Sequence, residues 1–166
     1  MELPFKSARV STLAHATEDE QKVIAALRVL LSNDVEIKGT KLKGHYGNPI
    51  VSFGASIGQK RTLHELWQRV VEKLRVGELE KIGGIVDDRT DESCHLYLRF
   101  DKQRAYAGEL ALTDSGDAIH LTLKTAAYPA RKEVAAKLVK EFIFKQKTGV
   151  GIGSSIGLGD VDETET

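Results

Sequence analysis

The sequence has few of the residues that mark secreted, membrane-spanning or nucleotide-hydrolysing proteins. Its single cysteine, Cys94, excludes an intramolecular disulfide framework and a cysteine-rich zinc site, and it fits a reducing compartment. No apolar run approaches the roughly 20 residues that a membrane-spanning helix requires. The glycine-rich segment 149–153 lacks the Gly-Lys-Ser/Thr ending of a Walker phosphate loop. These absences favour a cytoplasmic protein that neither spans a membrane nor hydrolyses nucleotides.

The chain also has a formal net charge of zero at pH 7. The 24 basic residues balance 24 acidic ones, so no global excess of positive charge is available to attract a polyanion. Any nucleic-acid site has to be a local patch. Two such patches are indicated, because five cations lie between residues 38 and 61 and six lie between residues 131 and 147. The alternative is that both are solvated edges and helix faces that keep strands from pairing wrongly.

The length of the chain sets its domain organisation. A chain of 166 residues hides roughly 70% of the surface that its unfolded form exposes, which allows one hydrophobic core. The composition changes near residue 148, where a Gly- and Ser-rich stretch leads into an acidic end with Asp160, Asp162, Glu163 and Glu165. We therefore expect one folded domain over residues 1–147 and a disordered, Gly-rich acidic tail over residues 148–166.

Apolar periodicity predicts an α+β domain. Strands are predicted over residues 5–14, 35–42, 50–57, 94–100, 109–112 and 119–127, with a hairpin joining the second and third. Helices are predicted over residues 18–31, 61–76 and 130–144, with a shorter helix within 77–91 that Gly83 and Gly84 weaken. Thr17 and Glu20 match a capping box, which places the start of the first helix at residue 18. This order indicates a two-layer α/β structure, with a mostly antiparallel sheet covered by helices on one face.

Three segments combine polar groups more densely than solubility requires. They cover residues 15–19, residues 44–49 at the predicted hairpin tip, and residues 99–106 between two predicted strands. Phosphates attract Lys and Arg, base edges pair with amides, and base faces stack on aromatic rings. The candidate RNA contacts are Lys43, His45, Tyr46, Asn48, Arg99, Lys102, Gln103, Arg104 and Tyr106. As alternatives, the glycines and Asn48-Pro49 only build a turn, and Asp101 pairs with Lys102 or Arg99 inside the fold.

These motifs, taken in order, resemble a known family. They are residues 15–19 with Lys22-Val23, residues 44–50, residues 96–103 with 105–106 and Gly108, and Ala127-Tyr128-Pro129. Over residues 5–144 the chain is similar to the archaeal RNA-binding proteins described as predicted exosome subunits. The resemblance implies a domain similar to the large-subunit ribosomal protein five fold, RNA binding linked to RNA processing, and no catalytic residues. It offers no role for the acidic tail.

Two other functions compete with RNA binding. For an enzyme, His15, Asp19, His45 and Asp101 would supply a metal site or an acid–base pair for phosphodiester cleavage, but the five histidines are scattered without metal-ligand spacing. For a protein-interaction module, open sheet edges commonly form homodimers, and the acidic tail offers a site for a basic partner. We expect RNA as the main partner, exosome subunits and a second copy of the chain as further ones, and no catalysis, cofactor or metal.

Overall fold

The computed structural model describes residues 2–44 and 46–153, with side chains described in residues 2–44 and 46–148. Within these ranges the chain forms an α+β domain, as predicted. Its elements are β1 (Phe5–Ala14), α1 (Glu20–Leu27), β2 (Lys38–Lys43), β3 (Pro49–Ile57), α2 (Lys60–Lys73), α3 (Glu78–Arg89), β4 (His95–Asp101), α4 (Lys102–Tyr106), β5 (Ala118–Thr125) and α5 (Lys132–Gly153). No helix in the described part is both long and apolar enough to cross a membrane.

The five strands form one antiparallel sheet in the order β2-β3-β1-β5-β4. The predicted hairpin is confirmed, because β2 pairs with β3 from Lys38↔Gly54 to Lys43↔Pro49. Side chains alternate between the two faces. On β1, Ala8, Val10, Thr12 and Ala14 are buried, whereas the residues between them are partly or fully exposed. The sheet therefore buries one face and leaves the other open.

The buried face carries the hydrophobic core beneath a layer of helices. Helix α2 contributes Leu63, Leu66, Trp67 and Val70, all of which are buried. The Trp67 ring lies 5.4 Å from the Phe5 ring on β1 and 5.7 Å from the Phe142 ring on α5, as measured between centroids. Tilted aromatic contacts of this kind add to the stabilisation that burial provides. The two predicted layers are confirmed, with the helices on one face.

The predicted capping box at the start of α1 is wrong. The helix begins at Glu20, and Asp19 is its N-cap because the Asp19 carboxylate accepts a hydrogen bond from the Gln21 amide at 2.9 Å. The Glu18 carboxylate accepts instead from the His15 amide at 3.0 Å, which closes the turn between β1 and α1. Because Glu18 closes this turn, the helix starts later than predicted, and the Asp19 carboxylate caps it.

The segment after β4 also differs from the prediction. Residues 102–106 form the short helix α4, which Asp101 caps by accepting from the Arg104 amide at 3.0 Å. Residues 109–112 are not a strand of the sheet; Leu110 and Leu112 form only isolated bridges with Leu74 and Phe100. Leu110 and Ala111 are buried and Leu112 is partly buried against the core, so the apolar pattern of this segment reflects packing rather than a full strand of the sheet.

Helix α3 lies within the predicted residues 77–91, whereas helix α5 extends beyond its predicted end. Helix α3 runs without a break through Gly83 and Gly84, and it packs against α5. A side-chain carbon added at Gly83 would lie 3.5 Å from Ile143, so a small residue suits this helix contact. Helix α5 continues to Gly153, nine residues beyond the predicted end at Phe144. Residues 154–166 lie outside the described part of the chain, and the disordered tail stays a prediction.

Candidate functional site

The three polar segments singled out from the sequence lie at one end of the sheet. We call this end, where β1, β2 and β4 finish and β3 and β5 begin, the upper edge. The register fixes it, because Ala14 pairs with Val51 and Asp101 pairs with Ala118. The β2–β3 tip and α4 lie three to four strands apart. At about 4.8 Å per strand, the distance between them is about 14–19 Å. The structure brings the segments to one edge and places two of them in contact, since the Lys102 ammonium lies 2.9 Å from the Glu18 carboxylate, whereas the hairpin tip lies apart from α4.

The hairpin tip presents its polar side chains to solvent. Lys43, Tyr46 and Asn48 are exposed, Tyr46 at 86%, and His45 lies outside the described residues. The Gly44 amide donates to the Asn48 carbonyl at 2.8 Å, and a side-chain carbon at Gly44 would lie 2.8 Å from that oxygen. The glycine is therefore needed for the close approach of the two backbone segments, and the turn it builds projects Tyr46 outward.

Helix α4 presents Gln103, Arg104 and Tyr106 at the same edge, all exposed. The Arg104 guanidinium donates to the Glu109 carboxylate at 3.0 Å, so part of its charge is balanced within the fold. The Lys22 ammonium lies 5.5 Å from the centroid of the Tyr106 ring, which is a cation–π arrangement. Helix α4 thus offers an amide, an aromatic ring and a partly neutralised cation.

Lys102 contradicts the prediction that it contacts RNA. Its side chain is only 3% exposed, and its ammonium lies 2.9 Å from the Glu18 carboxylate, 2.6 Å from Asp117 and 2.8 Å from the Leu13 carbonyl. These partners use the three donors of the ammonium group. The predicted alternative of an internal network holds for this residue, although its partners are Glu18 and Asp117 rather than Asp101. Lys102 joins the end of β1, the turn before α1, the start of α4 and the turn before β5.

The partners of Lys102 also form the group of side chains best placed for a cation. Ligand atoms of His15, Glu18 and Asp117 lie within 4.8 Å of one another, and His15 Nε2 is 3.6 Å from Asp117. The Lys102 ammonium contacts both carboxylates. The positive charge in this cluster is therefore supplied by the chain itself, and a metal ion would have to displace it.

Sequence reasoning missed most of a second surface, the open face of the sheet. We define it by the side chains that alternate away from the helices, and its charged and aromatic members are Arg9, Lys38, His95, Tyr97, Arg99, Asp101, His120 and Lys124. Among these strand positions only Asp101 is acidic, and its carboxylate caps α4. Burial and the neighbouring Arg99 guanidinium hold the pKa of His120 below its ordinary value, so its ring is neutral near pH 7.

Two rows of cross-strand neighbours run over this open face. Tyr97 pairs with Thr122, which pairs with Arg9. Arg99 pairs with His120 in the next row. Within the described residues, neither arginine forms an ion pair with a carboxylate. Two positive charges therefore remain available on the open face.

Arg9 lies flat over β3 at a glycine. Its guanidinium donates to the Ser56 hydroxyl at 3.1 Å, and a side-chain carbon at Gly54 would come within 2.9 Å of Arg9 Nη2. A groove of about 640 Å³ begins here and is lined by Arg9, Lys38 and hydroxyl side chains on one side. Asp34, Glu36 and Glu65 line it elsewhere together with Arg61, which lies 3.7 Å from the Glu65 carboxylate, so the cations of the groove that lack a carboxylate partner lie at the sheet. Gly54 thus makes room for a cation on the open face.

Tyr97 is held in place on the open face. Its hydroxyl donates to the Asp91 carboxylate at 2.7 Å, and its ring centroid is 6.1 Å from that of His95. Burial alone would raise the pKa of Asp91, but hydrogen bonds from the His95 amide, the Tyr97 hydroxyl and the Ser93 amide outweigh it and lower the pKa. The ionised carboxylate in turn raises the pKa of Tyr97 and keeps its hydroxyl a donor.

A signal for the open face was present in the sequence. Leu96, Leu98 and Phe100 are the inward-facing residues of β4, so Tyr97 and Arg99, which alternate with them, face outward. The same reasoning on β1 and β5 gives Arg9 and the residues 120, 122 and 124. What the sequence does not give is the strand order, which makes these positions neighbours.

Comparison with known proteins identifies the family. Residues 7–125 match a family model described as RNA binding. The chain is 33% identical over 146 residues to a Pyrococcus abyssi protein named RNA-binding protein, an alignment that covers 85% of this chain and 95% of that protein. A crystal structure from Archaeglobus fulgidus is similar at 36% identity with a TM-score of 0.75, covering 82% of this chain and 98% of the other. A DUF54 protein from Methanothermobacter thermautotrophicus follows at 34% identity with a TM-score of 0.71, covering 84% and 98%. The chain therefore belongs to this RNA-binding family.

Proposed function

We propose that this protein binds RNA without catalysing its cleavage, and that it acts as an accessory factor in RNA processing or exosome-linked decay. The observation that carries the proposal is the charge of the open face. Arg9, Lys38, Arg99 and Lys124 occupy its strand positions, and the only acidic residue there, Asp101, is engaged in capping α4. Cations arranged in this way neutralise phosphates. Membership of an RNA-binding family supports RNA as the polyanion.

The upper edge extends this surface. We assign to it the exposed candidates that the sequence indicated: Lys43, Tyr46 and Asn48 on the hairpin and Gln103, Arg104 and Tyr106 on α4, with His45 as a further contact outside the described residues. Lys102 is left out because its ammonium is enclosed by its partners. Lys102 is a positioning residue, because its contacts hold the elements of the upper edge together.

The proposal that the protein is not an enzyme rests on the same lysine. A metal-dependent nuclease needs an open cation position among its carboxylates. At the best-placed cluster, the Lys102 ammonium lies between Glu18 and Asp117. Pairing with a second copy through β2 is also disfavoured, since Lys38, Lys41 and Lys43 along this edge strand repel a like-charged strand.

Salt dependence of RNA affinity tests the proposed surface. The logarithm of the binding constant should fall linearly with the logarithm of salt concentration, and Arg9→Gln and Arg99→Gln should each flatten the slope by about 0.7 for single strands or about 0.9 for duplexes. Fluorescence anisotropy of labelled RNA gives the slopes. Lys137→Gln, an exposed lysine on α5 in the helix layer, is the matched control and should leave the slope unchanged. Equal effects of all three variants, or no RNA binding at low salt, would contradict the proposal.

The exosome link is supported by the family resemblance of the motifs and needs its own experiment. Affinity purification of the tagged chain, with and without RNase treatment, should recover exosome subunits from the native cytoplasm. Recovery that survives RNase indicates a protein contact, and recovery that depends on RNA indicates a shared substrate. Absence of exosome subunits in both preparations would remove this part of the proposal and leave RNA binding untouched.

A further inference from the structure

We propose that the open face takes single-stranded RNA, with one base stacked on Tyr97 and the neighbouring phosphates on Arg99 and Arg9. The inference rests on the proposed RNA binding and goes further by naming the strandedness of the RNA and a base subsite. Tyr97 is not among the residues that the sequence indicated. The juxtaposition that carries the inference is an immobilised aromatic ring among unpaired cations on an open antiparallel sheet.

The first step concerns the ring. Tyr97 is 42% exposed on the open face, so a large part of its side chain is accessible. Its hydroxyl is fixed by the Asp91 carboxylate at 2.7 Å. A base that stacks on a ring already held in place costs less side-chain entropy than one that has to order a mobile ring. Such stacking tolerates every base, since each has a π-face.

The second step concerns the charges around the ring. Arg99 lies two residues along β4 on the same face, about 7 Å away, and Arg9 lies two strands across, about 10 Å away. Tyr97 and Arg9 share one cross-strand row through Thr122. Lys38 continues the path a further two strands on, at the groove that Arg9 and Gly54 line. A strand that stacks on Tyr97 can thus cross the sheet with its phosphates beside cations.

The third step concerns strandedness. In an A-form duplex every base is stacked between its neighbours, and only phosphates, ribose hydroxyls and groove edges reach a protein surface. A duplex can therefore use the arginines of the open face but not the Tyr97 ring. A single strand can use both, because its bases are free to splay out. The open face accordingly favours single-stranded RNA.

Binding of a fluorescein-labelled ten-nucleotide oligouridylate, compared with a uniformly abasic strand of the same length, tests the base subsite. Wild-type protein should bind the oligouridylate more tightly, because the abasic strand keeps every phosphate and loses every base. Tyr97→Leu should weaken oligouridylate binding by roughly 5- to 150-fold, the factor expected for one base stacked on an aromatic ring. The same variant should bind the abasic strand as the wild type does.

Two controls separate the ring from the fold. Tyr97→Phe keeps the ring and removes the hydrogen bond to Asp91, so it should keep most of the affinity that Tyr97→Leu loses. Phe144→Leu removes an aromatic side chain that is 66% exposed on α5 in the helix layer, and it should change nothing. Unfolding midpoints of all three variants show whether each protein is folded at the binding temperature.

The outcomes distinguish this inference from the proposed function. If Tyr97→Leu binds oligouridylate as the wild type does while Arg9→Gln weakens it, RNA lies on the open face through phosphates alone and the base subsite is refuted. If a blunt duplex of the oligouridylate with oligoadenylate of the same length binds as tightly as the oligouridylate alone, and Tyr97→Leu weakens neither, the preference for single strands is refuted as well. If the protein binds RNA but no variant on the open face changes the affinity, the inference is refuted together with the surface on which the proposed function rests; if the wild type does not bind RNA at low salt, the proposed function itself fails.

Discussion

Replacing Lys102 with methionine tests whether this lysine holds the upper edge together or contacts RNA. Methionine keeps most of the aliphatic stem and removes the ammonium, which lies within 2.9 Å of Glu18, Asp117 and the Leu13 carbonyl. Loss of one partner from a fully buried ion pair costs about 3–5 kcal/mol. Here the Glu18 and Asp117 side chains are 22% and 47% exposed, so water solvates part of the freed charge. We therefore expect a loss of about 1–3 kcal/mol in the free energy of unfolding.

Urea unfolding followed through the fluorescence of Trp67, which is buried in the core, measures this loss. In a thermal scan the midpoint should fall by about 2–12 °C. The salt dependence of RNA binding should stay unchanged at a temperature where the variant is folded. Lys137→Met applies the same substitution to an exposed lysine and should move neither quantity. A salt slope flattened by about 0.7–0.9, with less than about 0.5 kcal/mol of destabilisation, would refute the reasoning and return Lys102 to the RNA contacts.

Three further predictions concern the folded state. Glu78→Ala should cost about 1–3 kcal/mol in thermal unfolding, because the buried Glu78 carboxylate accepts from the Leu112 amide at 2.6 Å and its loss leaves that donor without a partner. Burial opposes ionisation of Glu78 and Asp91, but their hydrogen bonds lower the pKa of both carboxyls below the ordinary values of 4.5 and 3.8. Because both pKa values are lowered by folding, the two ionised carboxylates stabilise the folded protein at pH values above their ordinary pKa values. The free energy of unfolding should therefore fall as the pH drops below about 4.5, and Glu78→Gln should reduce that fall. Asp19→Ala should cost about 1 kcal/mol by removing the N-cap of α1, whereas Thr17→Ala should cost less than about 0.5 kcal/mol; equal losses, seen by denaturant unfolding, would restore the capping box.

The open face carries a positive charge that the overall composition conceals. The whole chain has no net charge. The acidic residues of the sheet layer lie at its ends and in its turns, as Asp91, Asp101 and Asp117 do, where each accepts hydrogen bonds or an ion pair. The middle of the open face is left to Arg9 and Arg99. A neutral chain therefore offers a cationic surface because its carboxylates are used locally.

Secondary structure was predictable wherever one local signal dominated. The helix α2 has the strongest apolar periodicity, and the strands β1, β3, β4 and β5 alternate clearly, so each was placed within a few residues. Errors occurred where two signals competed. At α1 the capping box predicted at Thr17 competed with closure of the preceding turn, and around residues 109–112 a largely buried apolar run forms only isolated bridges, one of them with β4. Tertiary contacts decided these cases, and no local pattern reports them.

The candidate site also contains residues that the sequence could assign and residues that only tertiary contacts decided. The sequence indicated Tyr46, Gln103, Arg104 and Tyr106 as candidate RNA contacts, and the structure exposes each of them. It could not separate Arg99 from Lys102, since both are cations within one short segment. Arg99 faces outward from β4. Lys102 begins α4, and its ammonium contacts two carboxylates that other segments of the chain supply, those of Glu18 and Asp117. That difference is created only when α1 and the turn before β5 pack against α4.

By itself the sequence determined the fold class, the hairpin and the two layers, because hydrophobic alternation and helical periodicity are properties of consecutive residues. The tertiary structure alone decided which cations face solvent and which neutralise buried carboxylates. It also decided that Tyr97, Arg99 and Arg9 share a surface, since strand order and register join residues that are almost ninety positions apart. Charge and exposure depend on such long-range neighbours, and for this reason a binding surface is assigned only once the sheet is assembled.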